Sequence, residues 1–501
     1  MPATEKVLPP IQEQGFKGMN ANLDQPVPVG FVSLAQNFFL EDGAWKPRPG
    51  IKLSGSAISA NTVQCIAHFN ELDGTAHTIC IVNDGLYSYT WGTDTWALTQ
   101  DLSAAGITVS ASALIDVTIS RGRAIFADGV NDPFMWDPSG PTFTQLTAAA
   151  VTEQVEVYYD KVFGHAGLTF EWSDEGDPTA GYAGASQAWD FAQRDGGPLT
   201  ALTPLNEHMV VFKEDSIASV RGAVEDTFQT DAVREGISET EGSPGFRNIQ
   251  VVDGDVYYTS VRGPRVLVSG IKRVVLDEDE LGNNILGPQW LAFERSEIQN
   301  SISFYDAERG LIVWLMALAG ETSKYTGLMY STQNGSFSVV QFASGFNFES
   351  AAAVEDPDGN EFVMLGDDSG QIYIWGDVLQ AASDDGEAFT FRLRSRQYGQ
   401  SLGVVQKRIA QVDLVLEILS TPFRGLMRPY LDGDPDGATK LKLAEKFFGY
   451  ETLGKKRKVR GMNFVGWTVG WDLEIVSTQG QAEVHSALTQ MTTTGRHGSR
   501  G

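Results

Sequence analysis

The sequence predicts an all-β chain: a β-propeller, seven blades favoured and six possible, with an N-terminal arm and a C-terminal β-sandwich-like domain. Three observations predict this. First, an apolar strand, an Asp-Gly or Ser-Gly turn and an aromatic strand keep recurring. Copies are Cys80-Ile-Val-Asn-Asp-Gly-Leu-Tyr-Ser-Tyr89, Val363-Met-Leu-Gly-Asp-Asp-Ser-Gly-Gln-Ile-Tyr-Ile-Trp375, and Ala124-Ile-Phe-Ala-Asp-Gly129 leading to Phe134-Met-Trp136. Each is a hairpin signal, and recurrence at tens of residues is the signature of a repeated architecture. Second, no window holds a 3.6-residue apolar period for four turns, as a long helix would require. Third, 53 glycines in 501 residues suit many tight turns.

The elements follow in chain order. Residues 1–56 do not read as a blade. Phe31–Leu40 is a possible strand pair, and Lys46-Pro-Arg-Pro-Gly50 is held extended by two prolines that cannot donate to a ladder. This segment is expected to be an arm that packs on something else. From 57 to 380 the text is strand and turn. Seven apolar blocks can be marked, at 63–98, 112–146, 155–191, 198–222, 247–270, 299–342 and 349–376. Their spacing centres near the ~40–50 residues of a propeller blade. A ring of such sheets buries each face on the next and leaves only short edges, where a two-sheet sandwich would be the rival solution.

After 380 the style changes. Phe389-Thr-Phe-Arg-Leu-Arg-Ser-Arg396 alternates, with Phe389, Phe391 and Leu393 on one face and Arg392, Arg394 and Arg396 on the other. Val412–Leu419 and Val465–Ile475 read as further strands, so 381–480 is assigned to a sandwich-like assembly domain and 481–501 to a polar tail.

Composition excludes several function classes. No apolar run reaches the ~18 residues of a membrane helix, so no membrane insertion is expected. The start, Met1-Pro-Ala-Thr-Glu-Lys6, lacks the apolar core of a secretory signal. Cys65 and Cys80 fall on neighbouring strands; a disulfide is possible, and two buried thiols are the plainer expectation. The six histidines form no close pair with metal-site spacing. No phosphate-cradling loop or nucleophile elbow is present. No cofactor and no catalytic residue is therefore assigned. Asp432-Gly-Asp-Pro-Asp436 opens like a calcium loop, but Leu443 stands where an EF-hand needs its bidentate glutamate, so a solvated turn is expected. The carboxylates Asp160, Glu171, Asp174, Glu175 and Asp177 read as an acidic rim rather than a glycosidase pair.

Charge is more informative. The net charge is -27, which disfavours wrapping of nucleic acid by the exterior. Yet 392–460 holds 15 Lys/Arg against 7 Asp/Glu, a local +8, so the remainder carries -35. Lys46, Arg48, Arg392, Arg394, Arg396, Lys455, Lys456, Arg457 and Lys458 are the candidate interface residues. A cationic stripe on one face of a strand is not left buried and unpaired. Acidic surfaces of neighbouring copies are preferred as its partner over DNA phosphates, because direct DNA affinity would have to overcome the acidic field.

Several local texts carry a family resemblance. They are Gly18-Met-Asn20, Asn37-Phe-Phe39 and Lys46-Pro-Arg-Pro-Gly50; Val162-Phe-Gly-His-Ala-Gly167 with Glu171-Trp-Ser-Asp-Glu-Gly-Asp-Pro178; Gly197-Pro-Leu-Thr-Ala-Leu202 with Val211-Phe-Lys-Glu-Asp-Ser-Ile217; and Val256-Tyr-Tyr-Thr-Ser-Val-Arg-Gly263. Together they span most of 1–380. The chain resembles the tail nozzle or tail hub proteins of short-tailed bacteriophages, also called packaged-DNA stabilisation proteins. The resemblance implies a non-enzymatic virion protein that forms a six-fold ring in the tail and extends the DNA channel. It also implies retention of packaged DNA, transit of viral DNA without tight binding, and contact with adaptor or portal-side proteins and with fibres or a spike. On this reading the arm serves as an interlock, and removing 1–50 is expected to abolish ring assembly while leaving a folded propeller. The rival expectation is a propeller carbohydrate-binding protein or glycosidase that reads a host receptor, with Trp91, Trp96, Trp136 and Trp172 as sugar platforms. Blade packing is the preferred role for these rings.

Overall fold

A computed structural model describes residues 6–7, 11–14, 16–21, 31–111, 113–140, 142–182, 187–190, 197–205, 208–221, 233–238, 240–269, 272–278, 284–343, 345–376, 383–395, 407–419, 423–431, 446–450, 452, 454–466, 469–476 and 482–493. The Asp432–Asp436 turn and Arg396 lie outside them.

Five four-stranded meanders follow the predicted blocks. Blade 1 runs Val63–Asn70, Ala76–Val82, Gly85–Thr90 and Thr95–Asp101. Blade 2 runs Asp116–Ser120, Arg123–Ala127, Phe134–Asp137 and Thr142–Gln145. Blade 3 starts at Val155–Tyr158 and gains a fifth strand, because both Asp177–Gly181 and Ala188–Asp190 pair with Thr169–Asp174. Blade 4 covers Leu199 to Ser238, and blade 5 covers Gln250 to Val275. The turns are those the sequence chose. Asp253 and Gly254 both take positive φ (51° and 84°), the two-residue hairpin geometry that favours Asp-Gly.

Chain closure comes from the arm. The sheet Phe348–Glu355, Glu361–Asp367, Ile372–Trp375 receives Ile51–Leu53 as its outer strand, with Tyr373 opposite Leu53. Six blades are thus self-contained sheets among the described residues, the lower of the two counts the sequence allowed. A seventh four-stranded unit, Ile302–Asp306 to Ser336–Gln341, is blade-like but not self-contained. Its last strand pairs in parallel with Phe31–Gln36, and the sheet runs on through Thr390–Ser395, Val469–Val476, Phe423–Leu431 and Lys446–Tyr450 to make ten strands. A chain tally by blocks could not see that fusion, because its bridging strand lies 300 residues upstream.

Facing this sheet is another of seven strands. Gly454–Gly466 is one edge, followed by Lys407–Ile418, Ala482–Thr493, Ala44–Pro47 and Phe38–Glu41. The C-terminal sandwich therefore contains the N-terminal arm, and it also contains Ala482–Thr493, which was expected in a polar tail but pairs along its length with Lys407–Ile418. The arm is an interlock within its own chain, so deleting 1–50 would remove strands of the sandwich itself; that truncation tests folding rather than assembly.

Blade faces pack in sequence round the ring. Ile79, Ile81, Phe126 and Phe134 fill the first interface, Phe163, Trp172, Leu202 and Val211 the third, and Val63, Cys80, Met364 and Ile374 the closure. Each such aromatic or aliphatic side chain contributes about 1.5–3 kcal/mol by leaving water. Trp136 and Trp172 belong to these cores, each 2% exposed, so neither presents a sugar platform. Trp91 and Trp96 are half-buried against Tyr89. Cys65 faces Ile81 and Cys80 faces Ile66 across one ladder. The two thiols are free and buried in different cores, on opposite faces of the sheet.

Candidate functional site

Two charged assemblies stand out, the weld between sandwich and propeller and the propeller axis.

The weld begins with Pro47 and Pro49, which keep the chain extended on either side of Arg48. The Arg48 side chain is wholly buried, as is its partner Asp384. Its five N–H groups all find acceptors. Nη1 and Nη2 donate to the two Asp384 carboxylate oxygens at 3.0 and 2.7 Å. Nε donates to Asn37 Oδ1 at 2.9 Å, and the remaining two reach the Pro49 and Gln341 carbonyls at 2.7 and 3.0 Å. The guanidinium carbon lies 3.8 Å from the Phe389 ring centre and 4.5 Å from that of Phe342. One arginine thus ties the arm, the 302–341 unit and the start of the sandwich. Asn37, at φ 59°, returns the tie through its amide to Thr390 O at 2.8 Å. Satisfied donors and flanking rings are what allow a charge to sit here without solvent.

This corrects the expectation for Arg48, which has no face to offer a neighbouring subunit. Lys46 pairs locally with Glu41 at 3.3 Å, both partly exposed. The predicted alternation of 389–396 holds for the apolar face: Phe389, Phe391 and Leu393 are buried. The arginine face, however, meets its charge at home. Arg392 Nε and Nη2 donate to Asp472 Oδ2 at 2.8 and 2.6 Å, and Arg394 Nη2 reaches the same oxygen at 3.3 Å. Asp472 is 1% exposed, and Arg428 pairs with Glu474 beside it. The sequence reading missed Asp472 because its strand, Val-Gly-Trp-Asp-Leu-Glu-Ile, shows one acid between core residues and no sign of which strand lies alongside.

The second half of the candidate set is placed on an edge. Lys455 is exposed near the start of Gly454–Gly466, opposite Glu417. Lys456, Arg457 and Lys458 stand opposite Leu416, Val415 and Leu414. Among the described residues, this strand pairs on one side only.

The axis was not foreseen. A cavity of about 350 Å³ is lined by the innermost strands, including Asp116, Gln154, Glu156, Gln250, Ser303 and Ser350. Arg247, on the link from blade 4 to blade 5, crosses it. Its Nη2 donates to Gln64 O of blade 1 at 3.2 Å and to Glu349 O of the closing blade. Asp116 Oδ2 accepts from Val155 N at 2.9 Å, joining blades 2 and 3. Burial pushes the Asp116 carboxyl up to about 6, against the backbone hydrogen bonds and the nearby Arg247 charge. Burial, with Asp116 next to it, raises Glu156 well above the usual carboxylate range. Both side chains are half-buried and face the cavity, so solvent there opposes this effect. A second network in blade 5 joins Arg265 to Glu241 and Asp277, and Arg273 to Glu241.

No group of three or more His, Cys, Asp or Glu among the described residues is arranged to hold a metal ion. No described helix is long and apolar enough to cross a membrane. Of the acidic rim, Asp160 pairs with Arg121, while Asp174, Glu175 and Asp177 are exposed.

The fold defines a β-propeller protein with a sandwich woven from both ends of the chain. No family model matches it, and no curated protein does. Solved structures that match include one described as a mitotic checkpoint complex, at 7% identity and TM-score 0.41, covering 66% of this chain and 91% of that one. Another is of RRP9 WD40 repeats, at 9% identity and TM-score 0.42, covering 66% and 99%. The propeller assignment rests on the sheet topology above.

Proposed function

We propose that this chain is a virion structural protein, non-enzymatic, that forms a ring in the tail of a short-tailed bacteriophage and extends its DNA channel. Six copies per ring, docking to adaptor or portal-side proteins and to fibres or a spike, follow from the resemblance given above. The observation that carries the reading is the separation of charge on a braced scaffold. A long basic edge strand lies on the sandwich of a chain whose remainder carries -35. The buried Arg48–Asp384 pair fixes that sandwich to the propeller, as a wall under load would need. Opposite charges on one protomer favour head-to-tail association, and head-to-tail contacts close into rings.

The DNA path on this reading lies between protomers. A cavity of about 350 Å³ crossed by Arg247 has no room for a duplex. Net acidity of the lumen wall would keep DNA from sticking during ejection. Negative-stain images and native mass spectrometry of the purified full chain test the proposal. A six-fold ring is expected; a monomer at micromolar concentration, in low and high salt, would overturn it.

A further inference from the structure

We infer that the edge strand Gly454–Gly466 is a β-augmentation site that takes an extended acidic strand from a second copy of this chain. The inference rests on the ring proposed above and names its joint.

Among the described residues, the sandwich has protected edges and one open edge. At one end of the seven-stranded sheet, Phe38–Glu41 is covered by the 302–341 unit, where Asn334 Nδ2 donates to Leu40 O at 2.7 Å. In the facing sheet the edge strand Lys446–Tyr450 has five residues, too short to template much pairing. Gly454–Gly466 has 13 and, among the described residues, pairs only with Lys407–Ile418. A register shift falls at Ile409/Gln411. Beyond it, from Gly461 back to Gly454, the ladder is regular. Alternate residues of that run therefore turn their N–H and C=O away from Lys407–Ile418.

Charge then decides what can pair there. The register puts Lys456, Lys458 and Arg460 opposite Leu416, Leu414 and Val412, all of which are buried core residues. Lys455 and Arg457 stand opposite Glu417 and Val415, on the other face. Cations at both sets of positions reject an apolar strand, which is how edges are guarded against indiscriminate pairing. They accept a strand that brings carboxylates at matching positions, each cross-strand pair adding to the backbone ladder. The chain outside 392–460 supplies acids in excess, so a second copy fits the edge by charge.

The test compares assembly of the full-length wild type with that of three variants by native mass spectrometry and light scattering. They are Lys458→Pro, Val459→Pro and the quadruple K455E/K456E/R457E/K458E. Adjacent residues of an edge strand alternate in which side their N–H serves. One proline therefore breaks the internal ladder and lowers the melting temperature, and the other blocks only the open side. The proline variant that melts like wild type is expected to assemble at least tenfold more weakly, as is the quadruple variant. If wild type forms rings and that proline variant forms them equally well, the edge pairing is wrong while the ring stands. If wild type never assembles, the ring reading fails and takes the joint with it. If the quadruple variant keeps its rings but loses binding to a fluorescent DNA duplex, the edge is a phosphate contact and the inference is overturned.

Discussion

Propeller and sandwich are made of the same material and held by opposite logics. Blade strands pair with neighbours a few residues away, as Val252 with Asp255 or Ser331 with Ser336. Sandwich strands pair across the chain, as Leu393 with Ala35 and Val484 with Trp45. Local pairing needs only turns and apolar faces, and the blades accordingly bury mostly hydrocarbon. Distant pairing must be specified, and the weld does so with buried charge, Arg48 against Asp384. The contrast teaches that at the weld buried ion pairs mark where sequence-distant segments must find one partner, while the Arg265, Glu241 and Asp277 network of blade 5 shows that buried charge is not confined to such joints. That role for buried charge is conformational specificity rather than stability, since such pairs cost much of what they return.

The sharpest way to break the comparison is at Arg48. Arg48→Met should destabilise the protein by about 3–5 kcal/mol, because Asp384 is left as a buried, uncompensated carboxylate. The double variant Arg48→Met/Asp384→Leu should recover most of that loss. Denaturant unfolding measures both. If the double variant also loses its cooperative transition, Arg48 contributes specificity that hydrocarbon cannot replace; a single variant as stable as wild type would remove the weld altogether.

Next in size is Asp472→Asn. It leaves Arg392 and Arg394 without their shared carboxylate and should cost about 1.5–3 kcal/mol, the worth of hydrogen bonds to a charged group. Arg392 is partly exposed and can turn to water, which keeps the effect below that at Arg48. Unfolding monitored by tryptophan fluorescence suits the site, since Trp471 adjoins it in the core.

Within the propeller the expected sign reverses. The folded Asp116 carboxyl sits at about 6 against an ordinary 3.8, so its ionisation opposes folding. The penalty is absent below about 4, grows as pH rises through 6, and is complete above it. That displacement corresponds to roughly 3 kcal/mol at most, and water in the axis lowers the expected value to about 1–2. Asp116→Asn keeps an acceptor for Val155 N and should therefore stabilise the protein at pH 8 and leave it unchanged at pH 4. Melting temperatures across that range check it. Equal destabilisation at both pH values would mean that the hydrogen bond, not the charge, matters at the axis.

Legibility in the sequence followed the same division. The apolar blocks became sheet units because period-two alternation and turn residues such as Asp253-Gly254 are local signals, but block 349–376 supplies three strands and takes its fourth, Ile51–Leu53, from the arm. The arm was read as separate because nothing in Phe31–Leu40 says that its ladder partner is Thr390–Ser395. Arg392 and Arg394 were correctly set on one face, but their partner Asp472 lies 80 and 78 residues on. Arg48 carried a cue in its flanking prolines, which fix an extended chain yet say nothing of burial. Arg247 carried none, since a lone arginine between two turns looks like any exposed one.

The smallest effect isolates what exposure does to the same chemistry. Lys46 and Arg48 lie two residues apart, and each has a carboxylate partner. Lys46 reaches Glu41 at 3.3 Å with side-chain exposures of 28% and 35%, whereas Arg48 and Asp384 have none. Water already solvates the Lys46 pair, so its Coulomb gain is small and salt screens it. Lys46→Ala should change stability by less than about 0.5 kcal/mol, and the difference should vanish in 1 M salt. A loss comparable to that of Arg48→Met would mean that Lys46 acts through its hydrocarbon stem against the sandwich rather than through its charge. Norleucine at position 46, which keeps the stem and drops the ammonium, would then behave as wild type.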